Sequence, residues 1–419
     1  MRTLFLALAA ALASPAAAQT PAQVQTSFEA TAQDAGEVAR QYAIPPYEAA
    51  QRLRAQEALV PETTRLAEAY RDRLAGIVLE QRPDFRLVVL LTGDAPEPDQ
   101  SIVASDLTVP ITFRTGAAAT RDQLIAALTA HQAELRAAYP YPPAMGVDPR
   151  AGTLVVMLSP AQFALEDAAS AAARLSAIAG VPVRVRSLDR EADTAAAGGA
   201  RVEGDVDGHR FVCTAGFVVT DGQRTGIATA AHCPDELSLV EPDGHQTPLP
   251  FLAQWGWGYQ DVQINLSTDP LPPLFYSDTA KTLQRPVVTW RNRSTTTAGD
   301  IVCHRGERTG YSCAEVELTD FAPSGELCGG ACLPRWVTVA GPNCRGGDSG
   351  APVFSGTVAF GIVKGASYRA DGSCGFYYYM STDYLPEGWR LAYQSAAAPL
   401  VEPPSNPDDP SLAGAARDR

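Results

Sequence analysis

The cysteines of this chain divide it into two unequal parts. All eight lie between residues 213 and 374, and residues 19–212 contain none. An even number of cysteines in a secreted chain is typical of a disulfide framework, although the spacing alone does not decide which pairs form. Only Cys328-Gly-Gly-Ala-Cys332 comes near the paired spacing of a zinc site, so we expect disulfides and no metal. The eight residues are Cys213, Cys233, Cys303, Cys313, Cys328, Cys332, Cys344 and Cys374.

Residues 1–18 have the pattern of a secretory signal peptide. Arg2 precedes an apolar run from Leu4 to Leu12, and small residues follow up to Ala18, where we expect cleavage. The run is too short to cross a bilayer as a helix, and no later segment is long and apolar enough. We therefore expect a secreted or periplasmic protein with no membrane partner, in a compartment where disulfides persist.

The length and composition indicate a globular chain with more than one folding unit. The 419 residues exceed the size of an ordinary single domain. Hydrophobic residues at 46% and charged residues at 19% are enough for packed cores. The net charge of −14 argues against nucleic acid and against anionic lipid as partners. We expect no cofactor.

The character of the sequence changes near residue 200. Residues 19–200 alternate amphipathic helical spacing with short apolar runs, which predicts an α+β region. Their Ala- and Gly-rich end, 194–200, predicts an exposed linker. Residues 201–395 contain many short β-rich runs between turn residues, which predicts a β-barrel or sandwich. The Pro-, Ala- and Asp-rich segment 396–419 predicts a disordered tail.

One serine lies among residues that have almost no side chain. Ser349 stands in Cys-Arg-Gly-Gly-Asp-Ser-Gly-Ala-Pro-Val-Phe, residues 344–354, and such glycines suggest that another molecule approaches the backbone closely. A glycine-rich turn between strands would have the same composition, so partners elsewhere in the chain must decide. A catalytic serine needs a base within hydrogen-bond reach and a third group that orients the base.

Among the five histidines, His232 has the most suitable setting for a base. It follows the small residues 229–231, which close a predicted strand, and precedes Cys233, which can fix the backbone. A structural histidine is the alternative interpretation. The others lie in a predicted helix, in polar turns and in a basic loop: His131, His209, His245 and His304.

The orienting carboxylate is expected next to a strand end. Asp261 directly precedes the apolar run 262–266 and fits this requirement, although an aspartate before a strand is often only a turn residue. Asp348 is the rival candidate, but it is the neighbour of Ser349 and would point along the same loop. We therefore expect Asp261 to orient His232.

Taken together, these motifs resemble those of one protease family. His, Asp and Ser follow one another in that order, and residues 202–385 resemble the secreted bacterial branch of the chymotrypsin-like serine proteases, such as the streptogrisins and alpha-lytic endopeptidase. Residues 303–313 look like the short disulfide loop of that branch, and residues 62–92 look more faintly like its pro-segments. The motifs are 229–233, 261–262 and 347–350. The resemblance implies an all-β double six-stranded barrel, 201–395, preceded by an α+β pro-region, 19–200, that is removed.

The resemblance also implies a role for each residue. Ser349 would attack a peptide carbonyl to form an acyl-enzyme, His232 would transfer the proton, and Asp261 would orient the imidazole. The amides of Gly347 and Ser349 would form the oxyanion hole. The implied partners are protein or peptide substrates and the protein's own pro-region. The pro-region would act as an intramolecular chaperone and inhibitor, and the enzyme would be a monomer. The implied disulfides are Cys213–Cys233, Cys303–Cys313 and Cys344–Cys374, which leaves Cys328–Cys332.

The sequence departs from the family pattern at two positions. Ser349-Gly350-Ala351 replaces the usual Ser-Gly-Gly. Lys364 stands where many relatives have a small serine near the catalytic aspartate. Its ammonium group would either compete for the carboxylate of Asp261 or point into the substrate groove. The primary specificity, whose pocket we expect between parts of 338–345 and 362–368, is therefore left open.

Cleavage near the linker would leave few residues before Cys213. A new N-terminus would then be too short to reach Asp348, so we expect Asp348 to pair internally with His304 or Arg305. A permanent N-terminal domain is the alternative to a removable pro-region.

Two other functions remain possible on the sequence. A catalytically inactive homologue that binds peptides would not need to keep all three residues. An esterase usually carries its nucleophile in Gly-x-Ser-x-Gly with the order Ser, Asp, His, which this chain does not have.

Overall fold

The structure, a computed structural model, describes residues 21–188, 200–241 and 244–394. The expected signal peptide (1–18), most of the expected linker and the expected tail (396–419) lie outside the described residues.

We call residues 21–188 the N-terminal region. Thr26 and Thr120 cap two of its longer helices, each exchanging hydrogen bonds with a residue three positions later in a capping box. The described helices are α1 Ser27–Tyr42, α2 Pro46–Ala58, α3 Val60–Ala69, α4 Arg121–Ala137, α5 Pro160–Phe163 and α6 Ala168–Ala179. The strands are β1 Gln23–Val24, β2 Leu74–Glu80, β3 Arg86–Thr92, β4 Gln100–Ala104, β5 Leu107–Ala117, β6 Ala144–Asp148, β7 Thr153–Leu158 and β8 Val183–Ser187. None of the described helices has the length and apolar character needed to cross a membrane.

Residues 200–394 form the β region, apart from 242–243, which are not described. Its first strands are β9 Ala200–Val206, β10 His209–Ala215, β11 Val218–Thr220, β12 Thr225–Thr229, β13 Leu237–Val240, β14 Gln246–Leu249, β15 Phe251–Trp255 and β16 Val262–Leu266. They are followed by β17 Leu274–Tyr276, β18 Leu283–Pro286, β19 Thr289–Trp290, β20 Ile301–Gly306, β21 Gly310–Ala322, β22 Trp336–Ala340, β23 Pro352–Ser355, β24 Val358–Tyr368, β25 Cys374–Ser381 and β26 Arg390–Leu391.

Two bent strands close the first barrel. One sheet has the order β10-β9-β13-β14 and the other the order β15-β16-β12-β11-β26. β10 continues into β11 at Gly216, where a side chain would lie 2.7 Å from the carbonyl oxygen of Ala228. β14 continues into β15 at Pro250, which has no N–H to give to a ladder. With each bent pair counted as one strand, the two sheets form a closed six-stranded circuit.

The second barrel closes directly. Its strands follow the order β20-β23-β24-β25-β22-β21, and β20 also pairs with β21. Side chains from these strands fill the interior, including Val302, Val337, Val353, Phe360 and Tyr379. The predicted architecture, two six-stranded barrels after an α+β region, is therefore confirmed.

The N-terminal region shares backbone hydrogen bonds with the second barrel. β6 pairs with β21, placing Gly146 opposite Phe321, so β6, β7 and β8 continue the barrel's sheet outward. A side chain at Gly146 would lie 2.9 Å from the carbonyl oxygen of Asp320, so the close approach requires glycine. Near the start of the N-terminal region, β1 pairs in parallel with β18.

A buried ion pair fixes α1 to the β region. Both guanidinium Nη atoms of Arg285 bind the carboxylate of Asp34, at 2.9 and 3.0 Å, and both side chains are fully buried. The Tyr311 hydroxyl and the Gly356 amide each donate to the same carboxylate at 2.6 Å. The buried charge of Asp34 is therefore fully hydrogen-bonded, which a buried ion pair requires to be stable.

Candidate active site

Three residues predicted from the sequence meet between the two barrels. His232 follows β12 and Asp261 precedes β16 in the first barrel, whereas Ser349 precedes β23 in the second. His232 Nδ1 lies 2.9 Å from Asp261 Oδ2, and His232 Nε2 lies 2.8 Å from Ser349 Oγ. Carboxylate, imidazole and hydroxyl thus form one hydrogen-bonded line.

The end of β10 connects the histidine strand to the serine loop. The Thr214 amide donates to the carbonyl oxygen of Ser349 at 3.1 Å, and the Thr229 hydroxyl donates to the carbonyl oxygen of Thr214. The Cys213–Cys233 disulfide ties the same strand to the residue after His232. These local contacts hold the base and the nucleophile at a fixed separation.

Asp261 is buried and charged. Burial alone would raise its pKa, but the positive charges of His232 and Lys364 outweigh it and lower the pKa to about 2. Its backbone amide donates to Met380 Sδ at 3.4 Å. His232, in contrast, keeps 24% of its side chain exposed, so a substrate can reach the imidazole.

The structure decides between the two positions considered for Lys364. The Nζ atom lies 3.3 Å from Asp261 Oδ2, and both side chains are 2% exposed. The indole of Trp336 covers the ammonium group, with its ring centre 4.9 Å from Nζ. The ammonium group of Lys364 therefore lies between the Asp261 carboxylate and the Trp336 ring and does not point into the substrate groove.

Backbone conformation and lack of space both require glycine beside Ser349. Gly347 and Gly350 have φ angles of +120° and +86°, which residues with side chains rarely adopt. A side chain at Gly350 would also clash with the Thr229 hydroxyl and lie 2.5 Å from the carbonyl oxygen of Thr214. Ser349 Oγ itself lies 3.1 Å from the carbonyl oxygen of Lys364, to which it can donate.

Asp348 is buried and held by the neighbouring charged loop. Its carboxylate accepts a hydrogen bond from Thr309 Oγ1 at 2.8 Å and from three backbone amides. The expected direct pairing with His304 is wrong, because His304 Nε2 contacts the Thr309 hydroxyl instead, at 3.3 Å. Burial lowers the pKa of His304 despite the nearby carboxylate. Arg305 forms an ion pair with Glu307 at 3.0 Å.

The four disulfides have the pairing that the family resemblance implies. All eight cysteines take part; one bridge includes Cys233, the residue after His232, and another includes Cys344 in the loop of Ser349. The bridges are Cys213–Cys233, Cys303–Cys313, Cys328–Cys332 and Cys344–Cys374.

A narrow cavity of about 10 Å³ lies next to Ser349. Cys344, Val363 and Ala366 line it, as expected for the walls of a specificity pocket. Tyr377 on β25 also lines it and was not predicted, as Trp336 and Met380 were not predicted around Asp261. No local pattern marks these residues, because pairing of distant strands brings them to the site.

This hydrogen-bonded line between two six-stranded β-barrels is the arrangement of the chymotrypsin-like serine proteases. The sequence is similar to streptogrisin-C from Streptomyces griseus, with 26% identity over 208 residues. The match covers 48% of this chain and 42% of streptogrisin-C, so the chain spans less than half the length of that relative. The resemblance to bacterial chymotrypsin-like proteases is thereby confirmed. No family model matches the sequence.

Solved structures of bacterial proteases are also similar. Thermobifida fusca protease A is 20% identical with a TM-score of 0.36, and the match covers 48% of this chain and all of that one. Nocardiopsis protease is 21% identical with a TM-score of 0.34, covering 46% of this chain and 97% of its own. A glutamic acid-specific serine protease is 23% identical with a TM-score of 0.36, covering 44% and 93%.

Proposed function

We propose that this protein is a secreted serine endopeptidase made as a prepro-enzyme and active as a monomer. The observation that carries the proposal is the line from Asp261 through His232 to Ser349, with contacts of 2.9 and 2.8 Å. A nucleophile needs this spacing to its base, and the base needs an orienting carboxylate. The four disulfides fit a protein that works outside the cytoplasm.

In the proposed reaction, Ser349 Oγ attacks the carbonyl carbon of the scissile peptide bond while His232 Nε2 removes the hydroxyl proton. Asp261 keeps the Nδ1 proton in place and stabilises the imidazolium. The amides of Gly347 and Ser349 stabilise the negative oxygen of the tetrahedral intermediate. The proton then passes from His232 to the leaving amine, and water hydrolyses the acyl-enzyme by the same steps in reverse.

The cavity next to Ser349 supports a preference for substrates with a small side chain before the scissile bond. Its volume of about 10 Å³ holds roughly one water molecule. Alanine, glycine or serine would fit with little rearrangement. A large aromatic side chain would have to displace Val363 or Tyr377 from the wall.

The N-terminal region supports the pro-enzyme part of the proposal. It adds strands to the second barrel and supplies a buried counter-ion to Arg285, as a folding template would. We propose that residues 19–200 assist folding, inhibit the enzyme and are removed by cleavage near 194–201.

A secretion experiment tests the proposal. Protein collected outside the producing cell should begin near residue 200, should cleave members of a peptide library after small residues, and should be labelled by an organofluorophosphate. The variant Ser349→Ala should lose the label and nearly all activity, by about 10⁶-fold in kcat. A folded wild-type chain that takes no label and cleaves no peptide would refute the protease function. A secreted chain that starts only at Gln19 would refute the processing.

A further inference from the structure

We propose that Lys364 is a positioning residue that keeps the site active at lower pH. Its ammonium group shares one oxygen of Asp261 with His232 and thereby reduces the negative charge that the imidazole experiences. This inference rests on the proposed protease function, but its test below does not need turnover.

The geometry puts two donors on one acceptor. His232 Nδ1 and Lys364 Nζ lie 2.9 and 3.3 Å from the same atom, Asp261 Oδ2. The carboxylate and the ammonium are each 2% exposed, so water does not screen the pair. Trp336 covers the ammonium from the other side, where the face of the ring attracts a cation.

The choice of residue supports a specific role. Only two of the 33 basic residues in the sequence are lysines, Lys281 and Lys364, and all others are arginines. Lysine carries a compact point charge, whereas arginine carries a broad planar one. The ammonium group lies between Asp261 Oδ2 and the ring of Trp336, and arginine at this position would carry the same charge.

The charges predict the direction of the effect. When His232 accepts the proton of Ser349, the imidazolium faces a carboxylate that Lys364 has already partly neutralised. The ammonium also repels the imidazolium. Compared with a site that lacks the ammonium group, both effects disfavour protonation of the imidazole.

Other groups around the carboxylate do not supply this charge. Tyr378 on β25 faces Asp261, but burial and the nearby carboxylate raise its pKa, so its phenol stays neutral. Met380, which accepts a hydrogen bond from the Asp261 amide, contributes a neutral sulfur atom. Within the part of the chain that the structure describes, the ion pairs of Asp261 are those with His232 and Lys364.

The test compares the full chain with neutral and charged variants at position 364. Lys364→Met and Lys364→Ser remove the charge, Lys364→Arg keeps it, and Lys281→Met removes the other lysine as a matched control. We measure the pH profile of kcat/KM on a peptide with a small residue before the scissile bond. The midpoint of its acidic limb should rise by about one pH unit in the neutral variants. It should stay in place in Lys364→Arg and Lys281→Met.

A second readout is independent of catalysis. In the Ser349→Ala background, NMR of the His232 ring carbons should show the same upward movement of the titration midpoint when Lys364 is replaced by methionine or serine. An unchanged midpoint in these variants, or an equal movement in Lys364→Arg, would overturn the proposal. Failure of both neutral variants to fold would leave the lysine a structural role only and would overturn it as well. A wild-type chain that cleaves no peptide would refute the protease function. The NMR titration would still test the proposed effect of Lys364 on His232, because it does not require activity.

Discussion

At the scale of single residues, the site depends on positions where a side chain cannot be added. Gly350 combines a φ of +86° with a space closed by Thr229 and Thr214. Gly372 has a similar φ, +80°, but open space around it. The two glycines therefore separate the cost of backbone strain from the cost of steric overlap.

We expect Gly350→Ala to lower the free energy of unfolding by about 2–5 kcal/mol, since both costs apply. Gly372→Ala should cost only about 1–2 kcal/mol, because strain alone applies. Urea denaturation of both variants in the Ser349→Ala background measures the difference. Equal losses would contradict the clash at Gly350.

Asp348 gives a second prediction at this scale. Asp348→Asn turns an acceptor of four hydrogen bonds into an amide and should lower the free energy of unfolding by about 1–3 kcal/mol. Thr309→Val removes only the hydroxyl donor and should cost about 1 kcal/mol. Thermal unfolding of the two variants measures both losses. A larger loss of unfolding free energy in Thr309→Val than in Asp348→Asn would contradict the prediction.

Local motifs identified the residues that the structure joins at the site. His232, Asp261 and Ser349 each stand in a short pattern with a recognisable neighbour, so their roles could be predicted one at a time. The neighbours of Asp261 could not be predicted in this way. Lys364 had two possible positions, and Trp336 gave no signal, because β22 reaches the site only through its pairing with β21 and β25.

At the scale of elements, the sequence predicted most strands but not their partners. The bends at Gly216 and Pro250, which turn two sheets into one barrel, follow from short-range chemistry. The pairing of β6 with β21 joins residues about 175 positions apart, as in Gly146 with Phe321, and no local pattern encodes it. The ion pair between α1 and β18 is another long-range contact of this kind.

The Asp34–Arg285 pair should behave as one unit. Asp34→Leu leaves a fully buried guanidinium without its counter-ion and should cost about 3–5 kcal/mol in unfolding free energy. Arg285→Met should cost a similar amount by stranding the carboxylate. The double variant should lose less than the sum of the two, because neither charge is then left alone. Thermal unfolding of the two single variants and the double variant, all in the Ser349→Ala background, gives a double-mutant cycle. Losses of unfolding free energy that simply add would argue against a coupled pair.

At the scale of the whole molecule, pH acts on the contact between the N-terminal region and the β region. Glu57 on α2 and Asp300 before β20 share Arg291 Nη1, at 3.3 and 3.1 Å. Burial and, to a smaller extent, Glu57 raise the pKa of Asp300 to about 6, although Arg291 and the Thr297 amide lower it. Because the folded-state pKa exceeds the ordinary 3.8, protonation favours the folded chain.

This stabilisation is complete below the ordinary pKa and is lost as the pH rises through about 6. From about pH 5 to pH 7.5, wild type should therefore lose about 1 kcal/mol of stability that Asp300→Asn keeps. Glu57→Gln should reduce the loss, since one negative charge is removed. Unfolding at both pH values in the Ser349→Ala background measures the effect. The same loss in Asp300→Asn as in wild type would exclude this carboxyl as its source.

The sheet that joins the N-terminal region to the second barrel ends at β8, and the composition of that strand is protective. A sheet margin with unpaired peptide groups invites a neighbouring copy to add a strand, which begins aggregation. β8 reads Val-Arg-Val-Arg-Ser, and Arg184 and Arg186 are 64% and 43% exposed along it. Arg184 pairs with Asp148 and Arg186 with Glu317, so an approaching chain meets exposed, charged side chains at alternate positions. Addition of a strand from a second copy at this edge is therefore disfavoured.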